Sequence, residues 1–148
     1  MLLKQYYLGC LMRLGRVGFD RVVGYLANGA QALATRPDPV RCMARRTPAE
    51  LATQLPSPTP PIVLDGRTVN EHHDKYIDGS LHIPLNRLKR QLDEIPPARP
   101  VAIHCANGYR SAIAAGILTQ HGRTEVSDLI GGRAAWKEAG FDVIAAAV

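Results

Sequence analysis

The chain has 148 residues, 46% apolar and 21% charged. That suits one domain, or one domain plus a fragment, with enough apolar side chains for a core, and it excludes a disordered tail. No stretch approaches about 18 uninterrupted apolar residues, so a membrane span is excluded, and Met1–Met12 lacks the apolar core and cleavage site of a secretory signal. Three cysteines without a Cys-x-x-Cys pair argue against a disulfide framework or a cysteine metal site and for a reducing cytoplasm. The net charge of +5 is uneven: residues 1–46 hold eight Lys/Arg against two Asp/Glu, whereas residues 47–148 hold ten against eleven. The four aromatics of the basic third do not alternate with its cations as a stacking platform needs, so no nucleic-acid partner is expected.

In chain order, an apolar helix opens the sequence, and a short strand is expected within residues 18–26 before the Asn28-Gly29 turn and a helix at 30–33. Two close prolines, Pro37 and Pro39, mark 35–46 as a linker. Thr47-Pro48-Ala49-Glu50 predicts a helix start: Thr47 the N-cap, Pro48 the first helical residue, Glu50 the capping-box acid. Short apolar runs predict strands at 61–65, 81–83, 101–104 and 126–130. Helices are expected at 68–75, 85–92, 111–120 and 133–139. Near-continuous apolar strands alternating with helices imply an α/β fold, a parallel sheet with helices on both faces.

A weak internal repeat relates residues 18–33 to 122–136: glycine, short strand, glycine turn, short helix. On that basis residues 1–34 are a partial, degenerate repeat and 47–148 the main domain. A helix, strand and helix alone cannot pair both strand edges or cover their apolar faces, so the piece is expected to dock.

The chemistry concentrates in His104-Cys105-Ala106-Asn107-Gly108-Tyr109-Arg110-Ser111, between a buried strand and a helix. Ligands of open parallel sheets bind beyond the carboxyl ends of strands. There the loop N–H groups, the helix N-terminus and Arg110 would all favour a Cys105 thiolate. A cysteine of pKa about 8.5 is roughly 3% thiolate at pH 7, and one of pKa about 6.5 roughly three-quarters. Cys105 is the candidate nucleophile, Arg110 its catalytic partner, and Ala106, Asn107, Gly108, Tyr109 and Ser111 the candidate substrate-binding loop. Asp65 and Arg67 are expected to support neighbouring loops. The adjacent His72 and His73 lack metal-ligand spacing and are expected on a helix surface, so neither metal nor cofactor is expected. Cys10 and Cys42 lack the strand–loop–helix setting and are expected to be non-catalytic.

Here the sequence resembles a rhodanese domain. Cys105 to Arg110 fits that family's six-residue Cys-x-x-x-x-Arg loop. Val63-Leu64-Asp65-Gly66-Arg67 resembles its strand ending in Asp-x-Arg. Asp78-Gly79-Ser80-Leu81-His82-Ile83-Pro84 resembles its Pro-Gly-Ala-x-Asn-Ile-Pro stretch, with Asp78 in place of the proline. Gly131-Gly132 with Trp136 resembles its closing Gly-Gly-x-x-x-Trp.

The resemblance implies a sulfurtransferase that moves a sulfane sulfur from a donor such as thiosulfate through a Cys105 persulfide, with Arg110 orienting the donor and bracing the loop. Its partners would be small sulfur-containing anions or thiols. A non-catalytic binding or sulfur-relay module is the alternative from another class. Tyrosine-type phosphatases and arsenate reductases place five residues between cysteine and arginine, against four here. Residues 14–26 resemble the stretch after the metal-binding part in fusions of a metallo-β-lactamase-like, persulfide dioxygenase-like domain with rhodanese repeats. The chain would then be the rhodanese end of such a fusion, docking as a homodimer or on a metallo-β-lactamase-like domain.

Overall fold

A computed structural model of the chain describes residues 8–12, 21, 23–24, 28–29, 31–34 and 42–145. Residues 1–41 and 42–148 form two compact units. In the first, residues 8–12 are helical and Gln31–Ala34 form one helical turn after Asn28-Gly29, as expected. Most of the strand expected within 18–26 lies outside the described residues. None of the described helices is long and apolar enough to cross a membrane.

The second unit is a five-stranded, wholly parallel sheet with helices on both faces. Its elements are β1 (Ala44–Arg46), α1 (Pro48–Gln54), β2 (Ile62–Asp65), α2 (Val69–Asp74), β3 (Leu81–His82), β4 (Val101–His104), α3 (Tyr109–Gln120), β5 (Val126–Leu129) and α4 (Gly132–Glu138). The strand order is β1-β5-β4-β2-β3, so β4 lies in the middle. Side-chain alternation divides the core. Ile62, Leu64, Val101 and Ile103 pack with Ala114, Ala115 and Leu118 of α3 on one face. Val63, Ala102 and Leu129 pack with Leu51 of α1 and Trp136 of α4 on the other. A fully buried Leu or Ile contributes about 1.5–3 kcal/mol, so both layers hold the β4 C-terminus firmly in place.

Helix starts follow the local chemistry. The Thr47 hydroxyl accepts from Glu50 N and the Glu50 carboxylate from Thr47 N, the expected capping box. Thr68 and Glu71 repeat it on α2.

Two expectations are corrected. Residues 44–46, assigned to the linker, are edge strand β1, paired with β5. The Ala-Arg-Arg sequence hides this strand because its anchors are polar: Arg46 Nε donates to Ser127 Oγ at 3.0 Å, and Arg45 Nε lies 3.4 Å from Asp128 Oδ2. A basic edge also resists pairing with foreign strands. Residues 85–92 are not one α-helix but lead into 3₁₀ turns at Leu88–Arg90 and Leu92–Glu94. Leu88 and Ile95 are both buried and pin the segment at two points, so the chain tightens into short turns.

Candidate active site

Cys105 follows the last residue of β4, and α3 begins at Tyr109. Gly108 turns the loop with φ 97°, a left-handed geometry that glycine adopts without strain. Its N–H donates to Cys105 Sγ at 3.2 Å. Ser111, buried on the first turn of α3, holds its Oγ 3.7 Å from Sγ and donates to Gly108 O at 2.9 Å. Burial pushes the Cys105 thiol up. The N–H groups of Ser111, Asn107 and Gly108 and the Ser111 hydroxyl outweigh it, so the thiol lies below its ordinary value.

The loop is seated from behind by α4. Arg133 N donates to Cys105 O at 2.8 Å and Ala134 N to Ala106 O at 3.2 Å. With those carbonyls turned toward α4, the N–H groups that follow are free to face the sulfur. Gly132 makes this approach possible: at φ 60°, a Cβ there would sit 2.4 Å from Cys105 O and 2.8 Å from Ala106 O. Of the remaining loop residues, Asn107 and Tyr109 are exposed, Tyr109 by 80%.

Arg110 reaches across to α2. Its Nη1 and Nη2 donate to Glu71 Oε2 and Oε1 at 2.7 and 2.6 Å. This end-on pair closes the guanidinium fork expected to orient a donor and ties the loop to α2. The Arg110 bonds hold the Glu71 carboxyl down to about 2, against a smaller upward push from burial. Glu71 is a site residue that sequence reasoning missed, since its capping-box spacing already explains it locally.

Arg110→Ala removes this tie, whereas Arg110→Lys keeps the charge and a single contact. Charge-assisted hydrogen bonds are worth about 1.5–3 kcal/mol, so Arg110→Ala is expected to slow reaction of the Cys105 thiol by about 10–100-fold, with Arg110→Lys recovering part. Stopped-flow rates of Cys105 modification check this, and native rates in both variants would contradict it.

Beneath the loop lies a buried polar network. Asp65 and His104 are register partners on β2 and β4. Asp65 Oδ1 accepts from Arg67 N and Nε at 3.0 and 2.9 Å, and Oδ2 from Arg67 Nη2 at 2.5 Å. Arg67 also donates to Glu71 O and Lys75 O, satisfying carbonyls at the end of α2. Asp65 and Arg67, expected to support neighbouring loops, thus bond to each other and to main-chain carbonyls of the α2 segment. His72 corrects the surface expectation: its Nδ1 lies 2.9 Å from Asp65 Oδ2, and its ring stacks on His82 at 4.0 Å and Tyr76 at 4.5 Å. His73 is exposed, as expected.

His104 is fully buried, 3.9 Å from Asp65 Oδ2, with no hydrogen bond from either ring nitrogen to any described residue. Burial pushes its imidazole down to about 4, the Asp65 charge opposing only in part. For Asp65, burial pushes up, but the Arg67 bonds, His104 and His72 outweigh it and hold the carboxyl well below its usual range.

These shifts share one sign. The unfolded chain binds more protons at His104 below its ordinary 6.5, so that contribution is complete above 6.5 and is lost as pH falls toward 4. It is on the order of 3 kcal/mol. The Asp65 and Glu71 contributions are lost at still lower pH. Urea midpoints are expected to drop between pH 6.5 and 4, and flat midpoints there would contradict the buried neutral His104.

Sequence profiles of known families identify the relationship. The Rhodanese-like domain family matches residues 47–139. The chain belongs to this family. A sulfurtransferase of Allochromatium vinosum is 34% identical over 84 residues, covering 57% of this chain and 78% of that protein. The uncharacterized protein YqhL of Bacillus subtilis is 39% identical over 74 residues, covering 50% of this chain and 59% of its own length. The crystal structure of a rhodanese-related protein from Thermoplasma volcanium is similar at TM-score 0.63 and 30% identity, covering 68% of this chain and 97% of that one. In this rhodanese-like domain Cys105 opens the loop between β4 and α3, and Arg110 is the second residue of α3.

Proposed function

We propose that the rhodanese-like domain is a sulfurtransferase working through a persulfide on Cys105. The observation that carries this reading is Sγ at the focus of the loop N–H groups, with Gly108 N at 3.2 Å. The Cys105 thiolate attacks the outer sulfur of thiosulfate. The new S–S bond forms as the old one breaks, and sulfite leaves with the bonding electron pair. The terminal persulfide sulfur carries the negative charge and is held by loop N–H groups. Cyanide, sulfite or a thiol then attacks that sulfur and restores the thiolate, so charge balances in both halves. Arg110, through Glu71, fixes the loop. Two half-reactions sharing one covalent intermediate require ping-pong kinetics. Parallel double-reciprocal lines for thiosulfate at several cyanide concentrations are expected, and intersecting lines would refute the covalent route.

For the first unit we propose association through its apolar residues, with a second copy or with a metallo-β-lactamase-like domain, as a degenerate rhodanese-like repeat would need. Leu8, Met12 and Val23 are 58%, 61% and 88% exposed. Burying such side chains is worth about 1.5–3 kcal/mol each. Sedimentation of the full chain is expected to show a dimer that Leu8→Glu with Met12→Glu dissociates. A monomer that also fails to bind a metallo-β-lactamase-like domain would contradict the proposal.

A further inference from the structure

Ala106 to Tyr109 carry no charge, and the Arg110 charge is matched by Glu71. Yet the donors of the proposed reaction are anions. A second arginine, Arg133, is the second residue of α4, the helix that seats the loop. Arg133 donates its main-chain N–H to Cys105 O at 2.8 Å, which fixes its Cα beside the nucleophile's own peptide group. Its side chain makes no hydrogen bond or ion pair with any described residue, and its Nε is buried without an acceptor. A buried charged donor left unsatisfied is costly, and an arriving anion removes that cost. The long arginine stem lets the head group swing toward the loop while the backbone contact stays in place.

We propose that Arg133 receives the anionic end of the sulfur donor and sets the charge preference of the site, while Arg110 serves as a brace. This rests on the reading of Cys105 as a sulfur acceptor, so the test separates the two. Iodoacetate and iodoacetamide are nearly equal in size and differ in charge. Their alkylation rates at the buried Cys105, read by peptide mass because the exposed thiols Cys10 and Cys42 also react, report the local potential without any sulfur transfer.

Arg133→Gln is expected to lower the iodoacetate-to-iodoacetamide ratio about tenfold, with Arg133→Lys keeping most of it. For thiosulfate, Arg133→Gln is expected to raise KM about tenfold with kcat held within about twofold, the pattern of lost ground-state binding. An unchanged alkylation ratio in Arg133→Gln overturns the role of Arg133. A wild-type protein that takes no sulfur from thiosulfate overturns the transfer reading instead, and the alkylation ratio still decides Arg133.

Discussion

Replacing Cys105 by serine is expected to abolish thiocyanate formation from thiosulfate and cyanide, lowering the rate by a factor on the order of 10³ or more. The serine hydroxyl fits the space but stays protonated at neutral pH. The N–H groups of Asn107, Gly108 and Ser111 that favour a thiolate would then face a neutral oxygen. Stability should change little, because serine nearly matches the volume of the buried Cys105 side chain and its hydroxyl can keep the bonds to Gly108 N and Ser111. The outcome is checked by initial-rate assays on protein whose urea midpoint matches wild type. Substantial thiocyanate formation by Cys105→Ser would mean that the sulfur travels elsewhere.

The second large effect is expected at Gly132, which touches no substrate in this account. An alanine there meets Cys105 O at 2.4 Å and Ala106 O at 2.8 Å, both backbone atoms that cannot rotate away. The φ of 60° adds strain of about 1–3 kcal/mol. Relief requires α4 to separate from the loop, breaking the bonds from Arg133 N and Ala134 N that turn the loop peptides. Gly132→Ala is therefore expected to cost about 2–4 kcal/mol of stability and at least about tenfold in sulfur uptake. Gly122→Ala is the control: at φ 86° it is strained, but nothing lies within 4 Å of the added Cβ, so uptake should persist. Equal uptake rates in the two variants would show that α4 does not shape the loop.

Gly132 also marks how far the sequence was legible. The loop at 105–110, the strand before it and the glycine pair are local signals, each set by a few adjacent residues. They placed Cys105 correctly between β4 and α3. The Thr47 capping box was readable for the same reason. The contacts that organise the site join different elements and leave no such trace. Arg110 finds Glu71 39 residues away, and the partner of His72 is Asp65 on the preceding strand. A six-residue α2 is too short for its apolar spacing to say which face is buried, so His72 read as surface. Strand β1 escaped because an edge strand held by Arg45 and Arg46 has no apolar run to read.

Whether Cys105 carries the sulfur is read most directly from the mass of the protein after exposure to thiosulfate and removal of excess reagent, followed by peptide mapping. A gain of one sulfur atom is expected on the peptide containing Cys105, lost on adding cyanide and absent in Cys105→Ser. No gain, or a gain confined to Cys10 or Cys42, would contradict it.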